Sequence, residues 1–170
     1  MSTTAVLLSI LGALLIGAIS PGPSFVLVSR TAVSLSRADG LAAAVGMGLG
    51  GAIFGTLALA GLGVLLQRVA WLDMALKLLG GAYLVYLGFR IWRGAADPIV
   101  VSQTAELRST SRFRSLGLAL MTQLSNPKTA VVYAGIFAAL LPASPPSWLL
   151  IALPPSIFVI ETTWYAVVAL

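Results

Sequence analysis

Residues 3–29 read TTAVLLSILGALLIGAISPGPSFVLVS and carry no charge. About 20 apolar residues, each adding about 1.5 Å, cross a hydrocarbon core of about 30 Å, so this stretch is long enough to span a membrane. Near its end stands Pro21-Gly22-Pro23. Proline has no N–H to donate and clashes with the carbonyl one turn back, so two prolines around a glycine predict that the helix opens there. Amides and carbonyls released by a break cannot face lipid and are tolerated at membrane depth only inside protein or beside a wet cavity. The first block therefore predicts a bilayer environment and a place within it for polar chemistry.

The rest of the chain repeats that character. Hydrophobic residues make up 59% of its 170 positions and charged ones 9%, where a soluble domain carries about a quarter as charges; the mean hydropathy is +1.02. Block lengths predict an all-α, polytopic membrane helix bundle of about five transmembrane helices, with helices 1 and 4 interrupted. Span 1 covers residues 5–30. A short turn at Arg37, Asp39 and Gly40 leads to span 2, residues 41–66, and span 3 covers 71–92, with Lys77 able to snorkel to the interface. Span 4, residues 113–141, is broken at Asn126-Pro127, and span 5, residues 148–170, by Pro154-Pro155. Residues 1–170 form one transmembrane domain, comprising a first repeat (3–92), a polar cytoplasmic loop (93–112) and an incomplete second repeat (113–170). The N-terminus has neither a basic leader region nor a small-residue cleavage site ahead of Pro-Gly-Pro, so it is read as a retained first span.

Orientation follows from positive charge. Arg30, Arg37, Arg90, Arg93, Arg108, Arg112 and Arg114 flank the loops after spans 1 and 3, which should face the cytoplasm. The N-terminus is then outside, and spans 1 and 4 run in opposite directions. The net charge of +5 is scattered between apolar blocks, with no basic run interleaved with aromatics, and does not point to nucleic acid. The absence of Cys and His excludes disulfides and thiolate or imidazole metal ligands, so neither a metal nor a cofactor is expected. No nucleophile has an evident base and the acids are dispersed, which argues against an enzyme.

Two interrupted helices at similar depth in antiparallel spans can meet. Each break precedes a new helix start, at Ser24 and at Lys128, whose amides and positive dipole end favour an anionic group such as a carboxylate. Ser24 and Asn126 add hydrogen-bonding groups. Lys128 is the most informative residue, because a cation near the bilayer centre costs at least about 2.5–3.5 kcal/mol. A substrate carboxylate, carbonyls freed at Pro21-Gly22-Pro23, or Glu161 could offset that cost. Glu161, the acid deep in an apolar block, reads as a proton carrier or a counter-ion for Lys128, or equally as a protonated or interface-facing side chain. The plainer alternative makes both motifs packing kinks, with Lys128 snorkelling.

Gly46/Gly50 and Gly51/Gly55 have the small-xxx-small spacing that lets helices approach closely, within the chain or against a second copy in a homo-oligomer. Gly80, Gly81 and Gly88 suggest the same for span 3, and Tyr83, Tyr86 and Trp92 an anchor or cavity wall there. Trp164 and Tyr165 read as an interfacial belt.

Taken in order, Ser20-Pro21-Gly22-Pro23, Arg37-Ala38-Asp39-Gly40 with Gly46 and Gly50, the run from Lys77 through Gly80 and Tyr83 to Gly88, and Asn126-Pro127-Lys128 with Pro142 resemble the LysE/RhtB family of amino-acid exporters. The resemblance covers nearly the whole chain. It implies a bacterial inner-membrane protein, embedded in lipid, that exports an amino acid or similar small zwitterion with proton coupling. It also implies that Pro21, Gly22, Pro23, Asn126, Pro127 and Lys128 are site residues. Two departures stand out. Ser24 follows Pro-Gly-Pro where many members have an acid or amide, and a sixth span, which would complete a 3+3 inverted repeat, is absent. The rival expectation is a non-transporting assembly subunit or a truncated, inactive remnant.

Overall fold

A computed structural model describes residues 2–68 and 111–170, with Leu78, Val85 and Phe89 between them. The expected third span and most of the polar loop lie outside the described residues. Six helices are described: α1 (Thr3–Ile19), α2 (Pro23–Ser34), α3 (Arg37–Arg68), α4 (Arg112–Leu124), α5 (Pro127–Leu140) and α6 (Ser147–Ala169).

Local chemistry sets their ends. Ser2 caps α1 by accepting from the Ala5 amide at 3.3 Å. A residue before proline is driven out of helical backbone, and Ser20, ahead of Pro21, is extended (φ −61°, ψ 123°). Gly22, ahead of Pro23, is extended as well (φ −163°, ψ −175°), and Pro23 opens α2 at its first helical position. α1 and α2 therefore meet at a 60° bend.

The expected turn at Arg37, Asp39 and Gly40 is instead the first turn of α3. Ser36 accepts from the Asp39 amide at 3.1 Å while its hydroxyl donates to the Asp39 carboxylate, an N-terminal capping arrangement that starts the helix four residues before the apolar block. Ser115, in α4, donates to the same carboxylate at 3.2 Å.

Pro154-Pro155 does not break span 5, contrary to the sequence expectation, because both residues lie inside the continuous α6. Two interior prolines remove two backbone bonds, but Leu149, Leu153 and Ile157 on either side are fully buried, and this packing holds the axis together. Among the described residues, α6 and the 37–61 part of α3 are each long and apolar enough to cross a membrane, and α1 with α2 makes a third crossing if the bent pair is one span. α5 is apolar but short, with 14 residues.

α3 packs most extensively against α6 and α4, and its glycines explain how. A Cβ at Gly46 would collide with the Leu116 carbonyl of α4, and one at Gly51 with the Glu161 carboxylate of α6. The small-xxx-small face is thus occupied inside the chain. Two dry clusters result. Val6, Ile10 and Leu14 of α1 pack with Tyr133 and Phe137 of α5 and with Leu149, Leu153 and Ile157 of α6. Val28 of α2 packs with Ala43, Ala44 and Met47 of α3, Ala119 of α4, and Tyr165 and Ala169 of α6. The polar groups lie between the two clusters.

Candidate functional site

The break between α1 and α2 frees the Ser20 carbonyl, which a continuous helix would have paired with the amide of residue 24. It accepts from Lys128 Nζ at 2.7 Å. Gly22 lies against the same side chain, and a Cβ there would stand 3.3 Å from Nζ and 3.4 Å from Cδ, so the lysine stem passes where a larger residue would crowd it. Gly22 also supplies no side chain to cap α2, leaving the first amides of that helix for another partner.

The second break is closed by its own chemistry. Asn126 caps α5, its Oδ1 accepting from the Lys128 amide at 3.0 Å, and Pro127 takes the first helical position. The cap anchors the backbone from which Lys128 reaches across to Ser20. The two breaks meet directly, as their depth in the sequence predicts.

A buried chain of hydrogen bonds joins them to α6. Asn126 Nδ2 donates to Ser24 Oγ at 3.0 Å, Ser24 Oγ donates to Gln123 Oε1 at 2.7 Å, and Gln123 Nε2 donates to Glu161 at 2.9 Å. Tyr133 OH donates to the other Glu161 oxygen at 2.7 Å, and Thr129 makes a long 3.5 Å contact with Gln123 Oε1. Glu161 is 3% exposed and Gln123 2%. A carboxylate so far from water persists because two donors meet it. Glu161 is not in contact with Lys128; each has a different hydrogen-bonding partner, so the direct counter-ion arrangement expected as one alternative is not formed.

Ser20, Gly22, Ser24, Asn126, Lys128 and Glu161 all border one small cavity, closed on its apolar side by Leu14, Gly17, Phe25 and Val132. Pro21, Pro23 and Pro127 are exposed and off its wall, so the prolines shape the breaks without lining the space between them. The expected helix starts at Ser24 and Lys128 fall one residue later than the observed first helical positions, Pro23 and Pro127. Tyr165 corrects the sequence reading: it is 4% exposed, lines the cavity and lies against Ser24 and Glu161, whereas an interfacial residue would be half in water.

Gln123, Thr129 and Tyr133 were not anticipated. Their signal is periodic: Ser115, Ala119 and Gln123 on α4, and Thr129, Tyr133 and Phe137 on α5, recur every fourth residue and are buried, the spacing of one helix face. On α6 the buried set Leu149, Leu153, Ile157, Glu161, Tyr165, Ala169 has the same interval and puts Glu161 in its middle. No group of metal-ligating side chains occurs among the described residues.

Comparison with known proteins agrees with this architecture. The family model described as LysE type translocator matches residues 15–170. The threonine efflux protein of Escherichia coli (strain K12) is 32% identical over 160 residues, covering 91% of this chain and 76% of that protein. The threonine efflux protein of Salmonella typhi is 35% identical over 127 residues, or 73% of this chain and 61% of that one. The homoserine/homoserine lactone efflux protein of Salmonella typhimurium is 33% identical over 121 residues, covering 70% and 56%. No solved structure matches the chain. A family match that takes in both helix breaks, on a chain with this much apolar helix, leaves one assignment: the protein belongs to the LysE-type translocators and is a membrane transporter, not an enzyme.

Proposed function

We propose that this protein exports a small zwitterionic amino acid from the bacterial cytoplasm across the inner membrane, binding it in the cavity where the two helix breaks meet. The observation that carries the reading is the environment of Lys128. Among the described residues its ammonium has one hydrogen-bonding partner, the neutral Ser20 carbonyl, beside the first turn of α2, which has no side-chain cap. A carboxylate entering there gains a charge-assisted bond from Nζ and the α2 amides together. The substrate amine would be met by Glu161 or by a carbonyl freed at the break. Relatives named for threonine and homoserine efflux support a substrate of this class.

Glu161 also suits proton coupling, since a proton on its carboxylate would neutralise the one buried acid that borders the cavity. Export would proceed by alternating access, the two apolar clusters rocking about the polar seam between them, with the N-terminus outside as the arginine distribution suggests.

The test is efflux from proteoliposomes loaded with single labelled amino acids, threonine and homoserine among them, with and without an imposed pH gradient. Efflux of at least one zwitterion, abolished by Lys128→Ala and made insensitive to the gradient by Glu161→Gln, is the expected result. Efflux that proceeds unchanged in Lys128→Ala would sink the site. No efflux of any amino acid from the intact chain would favour the assembly-subunit reading.

A further inference from the structure

We propose that Gln123 is a positioning residue that transmits the charge state of Glu161 to Ser24 at the head of α2, by turning its side-chain amide when Glu161 takes up a proton. The inference rests on the coupling role proposed above for Glu161, and it names the group through which that role reaches the site.

The directions of the hydrogen bonds carry it. From Asn126 Nδ2 to Ser24 Oγ, from Ser24 Oγ to Gln123 Oε1, and from Gln123 Nε2 to Glu161, every bond donates toward the carboxylate. Tyr133 donates to Glu161 from the other side. A serine hydroxyl has one hydrogen and an amide has distinct donor and acceptor ends, so these directions are interlocked. Ser24 gives its one hydrogen to Gln123 and accepts from Asn126 on a lone pair. Asn126 spends its NH₂ on Ser24, which leaves its Oδ1 for the Lys128 amide. An acceptor-only carboxylate at the end of the row holds each member in its orientation.

A proton arriving on the Glu161 oxygen that faces Gln123 forms an O–H bond there and converts that oxygen into a donor. It then opposes the NH₂ of Gln123, donor against donor, with both side chains almost wholly buried. Turning the amide half a revolution lets Oε1 accept from the new hydroxyl and points the NH₂ at Ser24 and Thr129. Ser24 Oγ, with two lone pairs, then accepts from Gln123 as well as from Asn126, and its own hydrogen turns toward Tyr165 on the cavity wall. The hydrogen bond of the hydroxyl at the head of α2 is thus reversed, while the cap of α5 stays closed. No covalent bond other than the new O–H changes, and the proton leaves by the reverse steps.

Among the described residues, the titratable groups around Glu161 are few. Tyr133 and Lys128 face the cavity from α5 and Tyr165 from α6, while the cavity-lining residues of α1, α2 and α4 include no ionisable side chain. α3 presents Gly51 to the carboxylate. At Gln123 itself there is no room for a larger readjustment, since a Cβ on Gly50 would stand 2.7 Å from its own Cβ. The side chain can turn its end but cannot withdraw.

Because the chain has no cysteine, a single reporter thiol is unambiguous. Ala18→Cys, on the cavity wall, is placed in the full chain in proteoliposomes, and its rate of maleimide labelling is measured without substrate between about pH 5 and 8, the free-thiol rate at each pH being divided out. The expected result is a labelling ratio that changes about fivefold or more across that range, is flat in Glu161→Gln, and is flat in Gln123→Met, which fills the same volume without hydrogen-bonding. Gln123→Glu keeps an acceptor for Ser24 but sets a second carboxyl beside the first, and the two would share a proton; it should displace the midpoint by about one pH unit or more. Gln123→Met carries the distinction, since a residue that only fills space would leave the response intact when replaced by a side chain of the same volume. A flat response in Glu161→Gln with an undiminished one in Gln123→Met, or an unmoved midpoint in Gln123→Glu, overturns the role of Gln123 and leaves the proton reading standing. A flat response in the parent overturns both.

Discussion

The two breaks that border the cavity begin their second helices in the same way, with proline at the first helical position, yet they are finished differently. At α5 the residue ahead of the proline is Asn126, whose side chain satisfies the amide of Lys128. At α2 it is Gly22, which has nothing to offer the amides behind it. One break is therefore self-contained, and it fixes the backbone that carries the lysine. The other is left without a side-chain cap, with its freed carbonyl holding the ammonium. On the proposed function the pair is a rigid arm and a receptive socket, and no symmetric pair of kinks would give both.

That contrast can be broken at the arm. Lys128→Ala removes one partner of a buried charge interaction, worth about 2–5 kcal/mol, so transport in proteoliposomes should fall by about 30-fold or more, with the helical signal in circular dichroism unchanged. It can also be erased by closing the socket. Gly22→Asp supplies α2 with a cap and Lys128 with a resident carboxylate while crowding the lysine stem, so the KM for the exported substrate should rise about tenfold. Unimpaired transport in that variant would show that the open end of α2 is not where the substrate carboxylate goes. Opening the closed break is the complementary change. Asn126→Ala loses the cap, at about 0.5–2 kcal/mol, along with the bond to Ser24, and should lower the melting temperature in detergent and cut transport several-fold. The smallest effect sharpens the comparison from outside it. Pro154 lies in an unbroken helix, so Pro154→Ala should change transport by less than about twofold and leave the melting temperature equal or higher, since alanine is the better helix former by up to about 3 kcal/mol.

Much of this was legible before any coordinates. Composition alone implies the bilayer, and the pre-proline constraint on Ser20 and Gly22 locates the first break because it acts through the local backbone. The meeting of Pro21-Gly22-Pro23 with Asn126-Pro127-Lys128 followed from their depth in opposed spans. What was missed depends on helix rotation or on packing. Gln123 and Tyr133 are polar residues in apolar blocks, and whether such a residue faces lipid, a neighbour or a cavity is decided by the turn of the helix. The every-fourth-residue stripes of α4, α5 and α6 contain that information for a reader who follows the periodicity through the polar positions. Tyr165 was assigned to an interface on residue type, although it falls four residues after Glu161 on the same stripe. Pro154-Pro155 was read by the rule that applied at Pro21, but buried neighbours on both sides of α6 outweigh two lost backbone bonds. Ser36-Arg37-Ala38-Asp39 carries a capping pattern, although its charges by themselves suggest a turn.

The bond from Lys128 to the Ser20 carbonyl has a consequence for the working cycle of an exporter. Having released its cargo outside, such a protein must make the return journey empty, and a naked ammonium would either stall that leg or drag a stray anion back with it. A neutral host built into the broken helix lets the cation travel home without a passenger. The same lone pair that shelters the lysine can be surrendered when a carboxylate arrives, so the ammonium keeps an acceptor in the vacant carrier and in the loaded one.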